Sequence, residues 1–555
     1  MILKDAVRDL VENAVKDMAG ETGIELSTLP EAKIEYPRDE KFGDYSTPVA
    51  MESAKILRKS PIDIGTMLKT HIEGGGIIGD VEVVKPGFVN IFISLDFLFE
   101  NLKTIISEGD NYGKNTRENP RNINIEFVSA NPTGPLNVVS ARAAAVGDTL
   151  ANLLEASGDR VDREFYVNDY GNQVYLLGKS VLFRYRELKG EKVSFPENGY
   201  HGEYIRDIAA WIAGEHEDEI NAFETEEEMI EYCSDRAVEY NVNGQKNDLE
   251  KFNVEYQTWF HEKNLHKDGK VEDTFSYLQS LNVIYEEEGK QLFRATDYGD
   301  DKDRVVIRDD GRPTYLMADI AYHLTKIKRQ YDLVIDIWGP DHHGYISRLV
   351  GAMQAMGYDE NKFRILIAQQ VNLMMEGEAV KMSKRLGKFS TMEDLIDEVG
   401  VDVARYFFVM RSMESHLDFD LDLARRQSSE NPVFYLQYAH ARICSIFREA
   451  ETRGITYAPE KAVESMLNNQ ESISLMKLLA RFPEEIRDAA VTCEPHRMTT
   501  YLMRLAQGYH KFYTEHRVLS DDLKATQTYL TLCDAVHIVM KNGLHILGVS
   551  APEKM

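Results

Sequence analysis

The 555-residue chain has few cysteines, few tryptophans and a shortage of positive charge: 4 Cys, 3 Trp, and 64 Lys and Arg against 92 Asp and Glu. Cys233, Cys444, Cys493 and Cys533 are far apart and form no metal-binding pattern, so we expect reduced, mostly buried thiols. No apolar run reaches the roughly 18 residues that cross a bilayer, and the N-terminus lacks the apolar core of a signal peptide. These absences predict a soluble, cytoplasmic protein without a membrane partner.

The formal net charge of −28 also restricts the partners. Affinity for a polyanion comes largely from Lys and Arg that neutralise phosphates, so this composition argues against a nonspecific nucleic-acid binder. An acidic protein can still bind one RNA by its shape, through local basic and aromatic patches. The charge therefore weighs against RNA binding but leaves it open.

The length predicts several domains, because 555 residues exceed one hydrophobic core. Residues 1–115 show helical patterns at 3–18 and 49–71 and an alternating, strand-like segment at 81–93, which indicate a separate α+β unit. Residues 118–405 alternate strand-like and helical runs, as βαβ units require. The strand-like runs are Val161–Val167, Leu333–Trp338 and Phe363–Val371, and the helical runs are Leu316–Arg329 and Ser347–Gly357.

Two further regions are helical. Residues 179–282 are acidic and indicate an insertion between the halves of the sheet. Strand patterns end near residue 418, and helical patterns follow at 429–453, 472–490, 498–515 and 526–547. We therefore predict an α/β fold class: a Rossmann-like parallel-sheet domain over 118–405, an N-terminal α+β domain over 1–115 and a C-terminal α-helical bundle over 418–555.

The turn after the strand-like run Asn122–Val128 is a candidate nucleotide site. It contains Pro132, Thr133, Gly134 and Pro135 and leads into a helix predicted over Ala141–Ser157. Ligands of open parallel sheets lie at the carboxyl ends of the strands, and a helix N-terminus favours phosphate. An ordinary βα connection explains these residues equally well.

A second stretch, Val380–Lys388, places three lysines and an arginine beside glycine and serine. Lysines are flexible point charges that can follow charge as it develops on a phosphate, so the stretch is typical of a cationic phosphate clamp. By itself, such a cluster is more often a solvated surface.

Together the two stretches resemble the nucleotide motifs of class I aminoacyl-tRNA synthetases, and within that class the arginyl-tRNA synthetase family. The resemblance runs nearly end to end, in family order. Its segments are Phe127–Pro135, Phe165–Gln173, Tyr298–Arg304, Tyr315–His323, Trp338–Tyr345, Leu417–Asp422 and Asn431–Arg442.

The resemblance implies an arginine–tRNA ligase that uses L-arginine, ATP with Mg²⁺ and tRNA(Arg). It also implies an N-terminal domain that contacts the tRNA elbow, a C-terminal anticodon-binding domain, a monomer, transfer to the 2′-OH of the tRNA, and arginine activation that depends on bound tRNA. Metal ligands of the protein itself are not expected: a zinc site at His342 and His343 would need a third ligand that the spacing does not supply.

One departure from the family is serious. The family's His-x-Gly-His motif is replaced by Asn137, Val138, Val139 and Ser140. The family's histidines hydrogen-bond the ATP phosphates, and losing one transition-state donor costs about 2.7–4 kcal/mol. Asn137 and Ser140 can still donate neutral hydrogen bonds, so we favour an active enzyme with a variant motif over a catalytically impaired tRNA-binding paralogue. A ligase or adenylyltransferase for another small cationic substrate is a third alternative.

The resemblance also assigns the nucleotide-site residues. The expected catalytic residues are Lys381, Lys384, Asn137 and Ser140. The expected ATP-binding residues are Pro132, Thr133, Gly134, Pro135, Asn137, Val139, Ser140, Gly339, Asp341, His343, Lys381, Met382, Ser383 and Lys384.

A guanidinium is planar and permanently charged, so a pocket that selects arginine needs well-placed carboxylates. Tyr315 and Asp319 stand at i and i+4, on one face of a predicted helix, where Asp319 can pair the guanidinium and Tyr315 can flank it. An ordinary solvated helix would carry the same two residues. With the resemblance, the expected arginine-binding residues are Glu126, Ser129, Asn131, Tyr315, Asp319 and His342.

Tyr435, Tyr438 and Arg442 lie at helical spacing in the C-terminal domain and are the expected tRNA-binding residues. Their rings and guanidinium can stack on unpaired bases. Core and rim positions of a helical bundle explain them equally well.

Overall fold

The computed structural model describes residues 2–72, 76–380 and 391–555. In this part of the chain, no helix combines the length and apolar character that a membrane span requires. Lys381, Met382, Ser383 and Lys384, which belong to the predicted phosphate clamp, lie outside the described residues.

The N-terminal part is a small three-stranded antiparallel sheet covered by helices, in the strand order β1-β3-β2. The predicted helix over 49–71 is two helices, because Arg58 adopts a left-handed conformation before Pro61 begins the second one. The predicted strand over 81–93 is a hairpin that turns at Gly87. Its elements are α1 (Leu3–Thr22), β1 (Tyr45–Thr47), α2 (Val49–Leu57), α3 (Pro61–Ile72), β2 (Ile78–Val84), β3 (Phe88–Ile93) and α4 (Leu95–Glu108).

The middle of the chain begins with the strand, turn and helix that the sequence predicted, followed by the helical region. That region was expected to be helical over 179–282, but it also contains one strand, β6, which is too short to show an alternating pattern. The elements are β4 (Asn122–Glu126), α5 (Val138–Ala156), β5 (Arg160–Val167), α6 (Asn172–Leu188), α7 (Glu203–Glu215), α8 (Glu217–Ile220), α9 (Glu226–Lys251), β6 (Thr258–His261), α10 (Glu262–Lys267) and α11 (Lys270–Ser280).

The second half of this region adds a small antiparallel sheet, β7-β8-β9, and then completes the main sheet. The predicted strand over 363–371 ends at residue 367, and a separate strand begins at 371. The elements are β7 (Ile284–Glu287), β8 (Lys290–Phe293), β9 (Arg304–Ile307), α12 (Tyr315–Lys328), β10 (Leu333–Trp338), α13 (Ile346–Ala355), β11 (Phe363–Ile367), β12 (Val371–Met375) and β13 (Glu378–Ala379).

The main sheet has five strands in the order β11-β10-β4-β5-β6, and every neighbouring pair is parallel. The chain moves from β4 to one side through β5 and β6, and later places β10 on the other side of β4. The strand order therefore reverses between β4 and β10, and ligands of such sheets bind at the carboxyl ends of the strands at this point. The predicted Rossmann-like class is confirmed.

The C-terminal part is helical, except that β14 pairs with β12 in a third small sheet. Strand structure was expected to end near residue 418, so β14 extends slightly past that point. The elements are α14 (Met392–Val399), α15 (Val401–Val409), β14 (Leu417–Asp420), α16 (Leu421–Ala424), α17 (Pro432–Thr452), α18 (Gln470–Ala480), α19 (Phe482–Thr492), α20 (His496–Glu515) and α21 (Leu523–Ile546).

Close packing fixes the direction of α5 on the sheet. Gly147 lies against the ring of Phe127, and a Cβ at this glycine would stand 2.3 Å from a ring carbon. The ring and the helix can approach only because residue 147 has no side chain. This contact places the N-terminus of α5 above the end of β4, where the sequence predicted a nucleotide site.

Candidate functional site

The turn between β4 and α5 is held by the helical insertion. Three insertion side chains donate hydrogen bonds to backbone carbonyls of this turn. They are Tyr204 to Thr133 (2.6 Å), Asn241 to Pro132 (2.9 Å), and Gln245 to Asn131 (3.2 Å) and Gly134 (3.0 Å). Because carbonyls accept these bonds, the shape of the turn depends on α7 and α9 and not only on its own prolines.

Asn137 is the N-cap of α5. Its Oδ1 accepts a hydrogen bond from the backbone N–H of Ser140 at 2.9 Å and from the Ser140 hydroxyl at 3.2 Å. The Asn137 amide group donates no hydrogen bond to the described residues, so it can donate to a ligand. The two residues that replace the family's histidines thus form one cap at the start of the helix, beside the half-buried Val139.

Arg142, one turn further along α5, is fully buried and has no carboxylate partner among the described residues. Its guanidinium donates to the backbone carbonyls of Gln369, Gln370, Ser412 and Ser415 at 2.6–3.4 Å. Burial lowers the pKa of Arg142 to about 10, which leaves it charged at neutral pH.

The backbone N–H of Met392 donates to the carbonyl of Leu136 at 2.9 Å. Arg142 thus contacts Gln369 and Gln370, which precede residues 381–390, and Leu136 contacts Met392, which follows them. Both contacts are made near the start of α5.

Three buried acidic residues form a row in the main sheet. They lie beneath the crevice, by which we mean the space at the carboxyl ends of β4 and β10. Asp336 on β10 is in register with Glu126 on β4, and Glu126 is in register with Glu164 on β5. All three are at most 6% exposed. Since the strands are parallel and in register, the three side chains share one face of the sheet. Only Glu126 had been singled out from the sequence, although an acidic residue inside an apolar strand was a signal for the other two.

Helix α12 supplies the groups that neutralise this row. The ammonium of the fully buried Lys326 lies 2.5 Å from Glu126 and 2.7 Å from Asp336. The Tyr322 hydroxyl, which has one hydrogen to donate, lies 2.8 Å from carboxylate oxygens of both Glu126 and Glu164, and Arg329, just after α12, donates to Glu164 at 2.7 Å. His323 places its two ring nitrogens 2.8 Å from the carbonyl of Asp319 and 2.7 Å from Asp336. These α12 groups were not predicted as functional residues.

Asp319 lies at the crevice end of α12 and is half-buried. Tyr345 donates a hydrogen bond to its Oδ2 at 2.6 Å, and Asp319 forms no ion pair with any residue that the structure describes. Burial raises the pKa of Asp319 to about 6, and the nearby carboxylates of Glu262 and Glu126 act in the same direction. A carboxylate without a cation at the end of a pocket is a natural receptor for a guanidinium.

Glu262 was missed by the sequence analysis. It is 4% exposed, begins α10 at the carboxyl end of β6, and interacts electrostatically with Asp319. Burial is the main reason that the pKa of Tyr166 is raised, and the carboxylates of Glu262 and Asp319 act in the same direction. Glu262 and Asp319 are therefore two carboxylates that act on one another and on Tyr166, near the carboxyl ends of β5 and β6. Glu262 directly follows β6, and a polar residue at the carboxyl end of a parallel strand is a candidate ligand-binding residue. This signal was not used, because β6 itself was not predicted.

The predicted arginine-binding residues occupy different positions around this pocket. Ser129 donates to Glu126 at 2.8 Å and accepts from the Tyr166 N–H at 3.1 Å. Asn131 is exposed and donates to Gln173 at 3.1 Å. Tyr315, one turn before Asp319, is 68% exposed, so its ring is free to flank a ligand.

The backbone is strained where β4 ends. Val128 and Ser129 have φ values of 70° and 40°, in the left-handed region that β-branched Val128 in particular disfavours. Such strain is retained where the surrounding structure enforces it, and it concentrates at functional sites. The strained residues therefore lie at the end of β4, next to Glu126 and Asn131, which are predicted to bind arginine.

Gly339 and the short 3₁₀ helix Pro340–Tyr345 follow β10 at the other side of the crevice. Asp341, His342 and His343 are all exposed, and the His342 ring lies 3.5 Å from the Asp341 carboxylate. Among the described residues, no hydrogen bond joins these three side chains to Glu126 or Asp319. The structure thus places them on the loop after β10, and their roles in binding stay predictions.

The predicted tRNA-binding residues lie on one side of α17. The rings of Tyr435 and Tyr438 lie 4.7 and 6.2 Å from the His510 ring, and Tyr438 is 42% exposed. Arg442 lies over the ring of Tyr513 at 4.9 Å and donates to its hydroxyl. A cleft of about 640 Å³ opens next to Arg442 and Tyr513, so this guanidinium and the Tyr513 ring border open space.

A cluster of three potential metal ligands lies between α17 and α21. It consists of His440, Cys444 and His537, whose donor atoms lie within 4.8 Å of one another. The two imidazole rings are stacked at 4.6 Å with only 26° between their planes. Nearly parallel rings direct their in-plane lone pairs past each other, so the cluster does not present three ligands to one ion.

Three family models match consecutive parts of the chain. They are the arginyl tRNA synthetase N terminal domain over residues 5–93, the class I (R) tRNA synthetase catalytic domain over residues 101–412, and the DALR anticodon binding domain over residues 436–555.

Curated relatives match over the full length. The arginine–tRNA ligase of Leptospira interrogans is 47% identical over 589 residues and covers 100% of this chain and 98% of its own. That of Geobacillus kaustophilus is 42% identical over 552 residues and covers 99% of each chain.

Two solved structures are similar as well. A Campylobacter jejuni chain described as a putative arginyl-tRNA synthetase has a TM-score of 0.76 and 35% identity, covering 83% of this chain and 100% of its own. Thermus thermophilus arginyl-tRNA synthetase has a TM-score of 0.77 over 100% of both chains, and at 21% identity it shows the same fold.

Proposed function

This chain belongs to the arginyl-tRNA synthetase family, and from that membership we propose which of its residues bind arginine, ATP and tRNA. Its activity is that of an arginine–tRNA ligase, which activates L-arginine with ATP and transfers it to tRNA(Arg), releasing pyrophosphate and AMP. The relatives cover the whole chain, and none of the comparisons favours the impaired paralogue.

The Asp319 carboxylate carries the assignment of the arginine pocket. It lies at the ligand edge of the sheet without a cation partner among the described residues, and Glu262 brings a second carboxylate nearby. Two carboxylates can meet the planar donor array of a guanidinium. Tyr315 flanks it, and Glu126, Ser129, Asn131 and His342 bind the substrate's other polar groups.

ATP, entering as its Mg²⁺ complex, binds across the start of α5 and the loop after β10. Asn137 and Ser140 face the phosphates at the helix N-terminus, where unpaired N–H groups favour anions. The adenosine lies along the turn residues, Val139 and the loop. The residues assigned to this site are Pro132, Thr133, Gly134, Pro135, Val139, Gly339, Asp341 and His343, with Lys381, Met382, Ser383 and Lys384 on the phosphates.

The reaction proceeds in two steps. The carboxylate of arginine attacks the α-phosphorus of ATP and pyrophosphate leaves, while Lys381 and Lys384 stabilise the developing negative charge. The terminal ribose 2′-hydroxyl of the tRNA then attacks the carbonyl of the adenylate and releases AMP. No side-chain nucleophile is required, because orientation and electrostatic stabilisation lower the barrier.

Tyr435, Tyr438 and Arg442 bind unpaired bases of the tRNA through stacking and cation–π contacts. The exposed Tyr438 ring and the cleft beside Arg442 support this assignment. A cytoplasmic location and a monomeric state remain predictions.

The decisive experiment is charging of total tRNA with radiolabelled arginine, ATP and Mg²⁺. We expect robust charging by the purified protein and collapse in Lys384→Ala. Asn137→Ala should charge more slowly, because both the N-cap and a phosphate donor are lost. The matched control is Lys103→Ala, which removes an exposed lysine that pairs with Glu100 and lies over the Phe99 ring on α4. Absence of charging by the unaltered protein would overturn the proposed activity.

A further inference from the structure

His323 lies inside the molecule between the arginine pocket and the acidic row. It is 3% exposed, stands one turn after Asp319 on α12, and faces Asp336 on β10. Nothing in the reaction requires a histidine at this depth. A buried titratable group that the chemistry does not use needs another explanation.

Both nitrogens of His323 face acceptors. Nδ1 lies 2.8 Å from the backbone carbonyl of Asp319, and Nε2 lies 2.7 Å from Oδ2 of Asp336. A neutral imidazole has one N–H donor and one bare nitrogen, whereas a carbonyl oxygen can only accept. Nδ1 must therefore carry a hydrogen. Nε2 then needs a second hydrogen, unless Asp336 is the protonated partner.

The surrounding charges place that proton on the histidine. Lys326 lies 2.7 Å from the other oxygen of Asp336, and an adjacent ammonium favours an ionised carboxylate. Glu126 on β4 also acts on His323 and favours its charged form, while Lys326 opposes it. Burial works against both charges, yet the pKa of His323 is raised above its ordinary value and that of Asp336 is lowered.

A count of charges gives the same result. The acidic row contributes three carboxylates, Glu126, Glu164 and Asp336. Lys326 and Arg329 supply two cations, so a charged His323 makes this set of six groups neutral. The half-buried Asp162, which also lies 3.9 Å from Arg329, is outside this count. Asp319 on α12 is then left without an ion-pair partner among the described residues.

We propose that His323 is a doubly protonated imidazolium at neutral pH and that its charge keeps the Asp319 carboxylate ionised for the guanidinium of arginine. This inference rests on the proposed arginine pocket. His323 is a positioning residue, since it acts through Asp319 and does not touch the substrate. Burial raises the pKa of Asp319 to about 6; the hydrogen bond from Tyr345 opposes that rise, and so does the charge of His323.

The consequence is a defined pH range for arginine recognition. Asp319 must be ionised to bind a guanidinium, so recognition is lost as the pH falls through the pKa of Asp319. Without the His323 charge, that pKa is higher, because an opposite charge nearby typically lowers a carboxyl pKa by about 1–3. A variant that lacks the charge therefore loses arginine recognition at a higher pH than the native protein does.

The first test measures protonation in the unaltered full-length chain. Histidine is labelled selectively with ¹⁵N, and the imidazole nitrogens are observed by long-range ¹H–¹⁵N correlation at pH 7. His323 is assigned from contacts to the Tyr322 ring, whose centroid is 5.1 Å away. We expect two protonated nitrogens at His323. A single neutral tautomer would overturn the proposal, and this result needs neither a folded variant nor activity.

The second test compares pH profiles of kcat/KM for arginine in tRNA charging. His323→Gln keeps a donor toward Asp336 but has no charge, and we expect acidification from pH 8 to pH 6.5 to cost it roughly three- to ten-fold more than the native protein. The matched control, His440→Gln, should follow the native profile. Superimposable profiles for native protein and His323→Gln would reject the proposal, whereas absent charging by the native protein would reject the assigned activity instead.

Discussion

Two buried histidines, His323 and His440, show how different neighbours give one residue type opposite properties. They are 3% and 1% exposed, and each places Nδ1 against a backbone carbonyl, at 2.8 Å from Asp319 and 2.9 Å from Pro552. Nε2 of His323 meets a carboxylate, whereas Nε2 of His440 has no partner among the described residues. The pKa of His323 is accordingly raised, while burial lowers that of His440.

The two surroundings are built differently. The network around His323 joins three strands and one helix, so its charges come from residues distant in sequence. The cluster around His440 uses Cys444, one turn along the same helix, and His537 on α21. Burial raises the pKa of the Cys444 thiol and lowers that of His537 to about 4, so this cluster is neutral at pH 7. Burial alone favours neutral groups, and a charge persists inside only where opposite charges surround it.

The largest effect is expected for Lys326→Met. Removing this ammonium leaves Glu126 and Asp336 as neighbouring buried carboxylates, and breaking a buried ion pair costs about 3–5 kcal/mol. We expect a lower melting temperature for the transition of the catalytic region, measured by differential scanning calorimetry. Lys103→Met, which breaks the exposed pair with Glu100 and an exposed cation–π contact with Phe99, should cost about 1 kcal/mol. Equal melting temperatures for the two variants would contradict the expected difference between a buried and an exposed ion pair.

Asp319→Asn should abolish most recognition of arginine. Removing one partner of a charged, hydrogen-bonded pair costs about 2–5 kcal/mol, which corresponds to roughly 30- to 5000-fold in kcat/KM for arginine. The KM for ATP should change little, because Asp319 serves the guanidinium. Steady-state charging kinetics measure both, and the control is Asp207→Asn on the exposed face of α7. A loss that affected ATP and arginine equally would argue against the assigned pocket.

Acidification should reduce arginine recognition in the native protein. The pKa of Asp319 is raised to about 6 by burial, so the ionised form that binds a guanidinium predominates above that pH and is lost below it. We expect kcat/KM for arginine at pH 5 to be about ten-fold below its value at pH 8. Profiles between pH 5 and pH 8, with thermal melts at each pH as a control for unfolding, test this. A flat profile would show that Asp319 does not titrate in this range.

The smallest effect is expected for Cys444→Ala. The neutral cluster depends on packing and not on charge, so we expect a loss of stability of about 1 kcal/mol or less. The charging rate and the pH profile should be unchanged. If this variant were as unstable as Lys326→Met, the two regions would not differ in the way that their charges indicate.

Local sequence patterns predicted much of the fold. The strand Leu333–Trp338 appears with the predicted bounds, and the helix predicted over 316–329 appears as Tyr315–Lys328. Patterns failed where elements were short: β6 has four residues, and β14 also has four. In such segments, pairing with a neighbouring strand decides the structure, because four residues are too few to show a period.

The site was predicted in part. The resemblance selected Glu126 and Asp319, and their role in binding arginine stays a prediction. Glu262, Lys326 and His323 were not singled out. A carboxylate or a lysine in one segment gives no sign of its partner when that partner lies on a strand more than a hundred residues away, as Glu126 and Lys326 show.

The sequence by itself determined the family, the activity and the alternation of strands and helices, because motifs and hydrophobic periods are local properties of the chain. Tertiary structure alone decided that Asp336, Glu126 and Glu164 form one row, that α12 lies over it, and that Asp319 has a hydrogen bond but no ion pair among the described residues. The reason is physical: the charge state of a buried group depends on the distances to all surrounding charges, and only the folded chain sets those distances.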